Sequence, residues 1–165
     1  MMRLAGAQST LARHEGRAIL TPHAGEMAGM LGCDLAAIEA DPHGTALRVA
    51  ADLGAVVVLK GACSFVAAPD GRSFSCQHGN SGLATSGSGD TLAGLMVGAL
   101  ARGAEPIEAA AWAVYLHGEA GNRLAASRGP LGFLAREIPA EVPAILAGLS
   151  RDRPRTLPSG PGFST

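Results

Sequence analysis

The residues with the most chemical potential are Gly79-Asn80-Ser81-Gly82-Leu83-Ala84-Thr85-Ser86-Gly87-Ser88-Gly89-Asp90-Thr91-Leu92-Ala93-Gly94, where a glycine-rich loop leads straight into an amphipathic segment. Glycines let main-chain N–H groups come close to a phosphate. The first turn of a helix adds unpaired N–H groups and the positive end of the helix dipole, so it attracts anionic oxygens. Asp90 does not belong in a plain anion cradle, because a carboxylate beside a phosphate repels it. The chemistry it offers there is that of a general base. It would take the proton of a hydroxyl attacking phosphorus, while loop N–H groups and a metal ion stabilise the developing charge. The alternative role for Asp90 is a simple N-cap of the following helix.

The elements that must position these groups read as an α/β chain. Leu92, Leu95, Met96, Ala99 and Leu100 recur at i, i+3, i+4, i+7 and i+8, which predicts a helix from Asp90 to about Arg102, capped by Gly103. Ala55 to Leu59 is an uninterrupted apolar run beside Gly54, as expected of a strand covered on both faces in a parallel sheet. Before it, Asp41-Pro42 starts a helix that Gly54 ends. Ala18-Ile19-Leu20 reads as a strand entering a loop at Thr21-Pro22, followed by a short helix from Glu26 to Leu31 closed by Gly32.

Ser64–Ala68 and Arg72–Cys76 flank Pro69-Asp70-Gly71, the signature of an antiparallel hairpin at the sheet's edge. Pro106 opens an alanine-rich helix to about Ala126, stopped by Gly129-Pro130, and a weaker helix spans about Ala140 to Leu149. One domain over residues 14–150 follows, with residues 151–165 as a disordered tail.

Composition excludes several classes of function. A net charge of −1 gives no basic surface for nucleic acid or an anionic membrane. No apolar run approaches the roughly 20 residues a bilayer span needs, and the amino terminus has no signal-peptide core, so the cytoplasm is the expected compartment. Cys33, Cys63 and Cys76 are odd in number and never spaced C-x-x-C, which predicts reduced thiols; Cys76 and His78 alone do not make a metal site.

The glycine string occurs with two further segments in fixed order, Leu20-Thr21-Pro22-His23-Ala24-Gly25-Glu26 and Val58-Leu59-Lys60-Gly61-Ala62-Cys63-Ser64. Together the three closely resemble the ADP-dependent or ATP-dependent NAD(P)H-hydrate dehydratases, the carbohydrate kinase domain family of the ribokinase-like superfamily. The resemblance covers Ile19 to about Leu149. It implies a mostly parallel sheet flanked by helices, and the repair of hydrated NADH or NADPH (the S epimer) driven by ADP or ATP with Mg2+. It further implies a functional link to an NAD(P)H-hydrate epimerase and a homo-oligomer.

By the same resemblance Asp90 contacts the hydrated nicotinamide and activates its hydroxyl, and Gly87, Ser88 and Gly89 form the anion hole. His23 contacts the hydrated dinucleotide, and Glu26 helps hold hydrated magnesium. Lys60, Gly61, Ala62, Cys63 and Ser64 hold the adenine nucleotide, with Asn80 and Gly82, and with Gly89, shaping its pocket. For His117, in Ala113-Val114-Tyr115-Leu116-His117-Gly118, a satisfied helix histidine is the expected role rather than a ligand.

Two departures stand out: Asn122 where the family often has aspartate, and Ser86 where it often has glycine. The family domain is also longer, and its early strands have no counterpart before Ala18, so the chain is expected to be the carboxyl-terminal part. A sheet without those strands exposes an edge and an apolar face, which predicts obligate pairing or poor solubility. Two other functions use the same loop. One is a small-molecule kinase acting on a hydroxymethylpyrimidine or thiazole alcohol; the other is an inactive nucleotide-binding remnant.

Overall fold

The computed structural model describes residues 9–14 and 16–151; the tail expected from residue 151 onward lies outside the described residues apart from Arg151. Four strands, β1 (Ile19–Leu20), β2 (Val56–Leu59), β3 (Ser64–Ala67) and β4 (Ser73–Cys76), form one sheet in the order β1-β2-β3-β4. Strand β1 runs parallel to β2, with Ile19 opposite Val56, whereas β2–β3 and β3–β4 are antiparallel. The expected hairpin is therefore present. Among the described residues it also outweighs the parallel part, so the expected mostly parallel sheet is represented there by the β1–β2 pairing.

Strand β2 sits at the centre because every one of its side chains is buried. Alternation sends them to opposite faces. Val57 and Leu59 pack with Met27, Ile38, Ala46, Val49, Ala50 and Leu53 on one side. Val56 and Val58 pack with Leu92, Met96, Ile107, Ala110, Ala113 and Val114 on the other. The first face is covered by α1 (Ala24–Leu31), α2 (Leu35–Ala40) and α3 (Pro42–Leu53), the second by α4 (Ser88–Ala101) and α5 (Pro106–Arg128). Helix α6 (Ile138–Arg151) closes a third apolar cluster against α5, built on Leu116, Leu124, Phe133, Ile138 and Ile145.

Local signals account for most of the boundaries. Gly32 and Gly54 end α1 and α3 in the left-handed conformation, with φ of 66° and 61°, which a glycine adopts without steric cost. Asp41 caps α3 by accepting from Gly44 N–H, and Pro42 and Pro106 occupy first-turn positions of α3 and α5. Helix α2 escapes the sequence patterns, since it has only six residues and Asp34 makes no side-chain cap bond. The glycine-rich loop holds a second surprise: Ser81–Ala84 is a 3-10 turn, opened by Asn80, whose side chain accepts from Gly82 N–H at 2.9 Å.

Candidate active site

Three sequence segments meet at the carboxyl end of the parallel strand pair. Beyond β1 the chain still tracks β2: Lys60 N–H donates to Pro22 O at 2.8 Å, and His23 pairs with Lys60 in a parallel bridge. His23 then becomes the N-cap of α1 and forms a capping box with Glu26. His23 N–H donates to Glu26 Oε2 at 2.7 Å, and Glu26 N–H donates to His23 Nδ1 at 3.2 Å. The spacing H-x-x-E carries this signal in the sequence, with histidine taking the place usually held by serine or threonine. Helix α1 accordingly starts at Ala24, two residues ahead of the expected Glu26.

Lys60 continues β2 and reaches in two directions. Its Nζ lies 3.8 Å from Glu26 Oε2. A Cβ placed on Gly89 would be 3.6 Å from the same nitrogen, so the ammonium stands beside the first turn of α4. The main-chain hydrogen bond from His23, with Lys60 and the His23 ring adding positive potential, holds the Glu26 carboxyl below its ordinary range.

The start of α4 depends on Gly87, its N-cap, whose φ of 84° and lack of a side-chain cap bond turn the loop into the helix. Asp90 is therefore the third helical residue and not the cap. Its carboxylate is exposed and has no hydrogen-bond partner among the described residues, which removes the N-cap alternative. Ser88 N–H donates to Thr85 O at 3.2 Å and Thr91 N–H to Gly87 O at 3.0 Å. The N–H groups of Gly89 and Asp90 between them have no acceptor among the described residues, as an anion site at a helix start requires.

The remaining expected residues take varied places. Ser88 turns its hydroxyl inward, 2.9 Å from His117 Nε2, and is only 4% exposed, so what it offers a ligand is backbone conformation. Asn80 Nδ2 donates to Asn122 Oδ1 at 3.2 Å, tying the loop to α5. Gly82 is buried, and a Cβ there would fall 2.1 Å from Pro130 O and 2.6 Å from Phe133 Cε1, so close packing alone demands glycine. Gly61, Ala62, Cys63 and Ser64 form the turn from β2 into β3, next to Lys60.

His117 is a satisfied helix histidine, as expected; the partner absent from the sequence reading is Ser88. Among the described residues Cys33, Cys63 and Cys76 are free, no helix is long and apolar enough to cross a membrane, and no three His, Cys, Asp or Glu side chains gather into a metal site. Magnesium, which keeps several waters and leans on phosphate oxygens, needs no such cluster.

Helices on both faces of the sheet, with a glycine loop entering a helix at its carboxyl edge, are the arrangement of the ribokinase-like α/β fold. The Carb_kinase family model, described as NAD(P)H-hydrate dehydratase, matches residues 2–144, and the chain belongs to that family. An ADP-dependent (S)-NAD(P)H-hydrate dehydratase of Xanthomonas campestris pv. campestris is 56% identical over 133 residues, which cover 81% of this chain and 46% of that relative. A bifunctional NAD(P)H-hydrate repair enzyme of Moorella thermoacetica is 38% identical over 159 residues, 96% of this chain and 30% of the relative. An ADP/ATP-dependent NAD(P)H-hydrate dehydratase of Bacillus subtilis, co-crystallised with ATP/Mg2+, superposes with a TM-score of 0.75 at 35% identity, covering 79% of this chain and 47% of that one. The chain thus spans about half the length or less of these relatives.

Proposed function

We propose that this chain provides the nucleotide-binding and catalytic part of an ADP-dependent (or ATP-dependent) dehydratase that restores NADH or NADPH from the S epimer of its hydrate. The observation that carries the reading is the meeting of Lys60 with the open start of α4: a cation 3.6 Å from a Cβ position on Gly89, beside two unpaired N–H groups, suits the terminal phosphates of a nucleotide. The turn from Gly61 to Ser64 then lies along the nucleotide, with Asn80 and Gly82 shaping the loop that faces it.

Asp90 is the general base. Its carboxylate takes the proton from the hydroxyl on the hydrated nicotinamide ring, and the oxygen attacks the terminal phosphorus of ADP, releasing AMP. Phosphate then leaves with the C–O bond pair, the neighbouring ring carbon gives up a proton to water, and the ring double bond of NAD(P)H is restored, so one ADP is spent for each hydrate repaired. The N–H groups of Gly89 and Asp90 stabilise charge on the transferring phosphoryl oxygens, with Gly87 and Ser88 setting their direction. His23, at the entrance to α1, faces the dinucleotide. Glu26, with Oε2 engaged by His23 N–H and Oε1 3.6 Å from His23 Nε2, would help hold a hydrated magnesium ion through a water, and the ion would supply positive charge to the phosphates.

A functional link to an epimerase that supplies the S form fits this substrate, as does a cytoplasmic location. A homo-oligomer is also in keeping with it, since Phe74, Trp112 and Leu131 are 49%, 51% and 81% exposed. The test is incubation of the chain with hydrated NADH, ADP and magnesium while NADH absorbance is followed. ADP-dependent recovery of NADH is the expected result. Nucleotide consumed with a hydroxymethylpyrimidine or thiazole alcohol as acceptor, and no recovery from the hydrate, overturns the reading in favour of a small-molecule kinase.

A further inference from the structure

The proposed chemistry leaves one buried polar residue without a task. His117, in the middle of α5, is 9% exposed. Its Nε2 lies 2.9 Å from Ser88 Oγ and 3.1 Å from Ser88 O. Adhesion of α4 to α5 does not need this contact, because Leu92 and Met96 already pack against Ile107, Ala110, Ala113 and Val114. An apolar side chain at position 117 would serve that purpose without burying an imidazole.

What the contact does supply is a fixed direction. Ser88 is the first residue of α4; its N–H is held by Thr85 O, and its Oγ and O share the single Nε2 of His117. The next two residues are Gly89 and Asp90, whose N–H groups are the free donors and whose carboxylate is the proposed base. Next to it on α5, Gly118 lets the loop come down: a Cβ there would be 2.6 Å from His78 O, so α5 meets the glycine loop at close range on the neighbouring residue as well. Burial lowers the His117 pKa, the Ser88 carbonyl only partly offsetting it, so the ring is neutral near neutral pH and adds no second cation to the site.

We infer that His117 is a positioning residue, a buried strut from α5 that fixes Ser88 and thereby aims the Gly89 and Asp90 N–H groups at the terminal phosphate. The inference rests on the phosphate-binding reading of the α4 start. A strut of this kind acts through Ser88 alone, and that sets it apart from a residue that merely fills the core.

The test is calorimetric titration of the full chain with ADP and, separately, AMP, for the unaltered protein and for His117→Phe, His117→Gln, Ser88→Ala and the double variant His117→Phe/Ser88→Ala. Loss of one neutral hydrogen bond predicts about three- to tenfold weaker ADP binding in His117→Phe and Ser88→Ala, with AMP, which lacks the terminal phosphate, little changed. His117→Gln, whose amide reaches toward Ser88, should recover most of the affinity. The double variant should be no weaker than the worse single one.

Losses that multiply in the double variant, or that fall equally on ADP and AMP, overturn the assignment. So does unchanged ADP affinity in His117→Phe or, where that variant fails to fold, in His117→Met, since either removes both contacts with Ser88. An unaltered chain that takes up no ADP overturns the functional reading and this assignment with it, whereas normal uptake with indifferent variants overturns the assignment alone.

Discussion

Lys60 Nζ stands 3.8 Å from Glu26 Oε2, joining the end of β2 to the first turn of α1. The two side chains are 27% and 53% exposed, and a pair in that setting contributes less than about 1 kcal/mol to stability. Its consequence is positional: Glu26 steadies the ammonium beside Gly89, where the proposed phosphate site lies. Lys60→Met should therefore weaken ADP binding by about ten- to a hundredfold, the worth of a charge-assisted hydrogen bond, and leave the melting temperature almost unchanged. A variant that binds ADP normally would remove Lys60 from the site.

Glu26 also sets an acid limit. Its carboxyl is held below the ordinary value of 4.5 in the folded chain, chiefly by His23 N–H. A group with a depressed folded pKa stabilises above its unfolded pKa, and that contribution fades as pH falls through the folded value. Glu26→Gln should thus lower the melting temperature slightly near neutral pH and converge with the unaltered chain as pH falls below the ordinary carboxylate value of 4.5, as followed by circular dichroism. A constant offset across that range would contradict the capping role.

His117 sets a second limit, nearer neutrality. Burial depresses its folded pKa below the ordinary 6.5, so the unfolded chain binds the proton first. Stability is full above about pH 6.5 and declines as pH falls from there toward the folded value. His117→Gln, which has no ring to protonate, should flatten that decline in thermal melts. An identical slope in both proteins would mean that the ring is not buried in solution.

Gly82 tests packing against ligand contact. With a Cβ falling 2.1 Å from Pro130 O, Gly82→Ala must push the 130–133 segment away, at about 1–3 kcal/mol in chemical denaturation. Unchanged stability with weakened ADP binding would instead make Gly82 a ligand-facing residue.

The sequence already disclosed the long periodic elements and the points where the chain turns. The Leu92–Leu100 periodicity marks α4 because an apolar stripe must face the sheet, and Gly32, Gly54 and Gly129 mark helix ends because few other residues terminate a helix so readily. Hidden were the features set by contacts distant in sequence. Nothing local says that Ser88 turns inward, since its partner is 29 residues away on α5. Nor does anything local reveal that Gly82 is glycine for the sake of Pro130 and Phe133, or that Lys60 lands beside Gly89. The capping box of His23 and Glu26 was legible by spacing, but the use of histidine as the cap disguised it.

Asp90 is the proposed proton acceptor beside the proposed phosphate site at the start of α4. Asp90→Asn keeps the shape of the side chain and removes its basicity, so NADH recovery from the hydrate with ADP should slow by at least about a hundredfold. ADP affinity should hold or rise as a negative charge leaves the phosphate site. Recovery of NADH by Asp90→Asn at the unaltered rate would rule out Asp90 as the base.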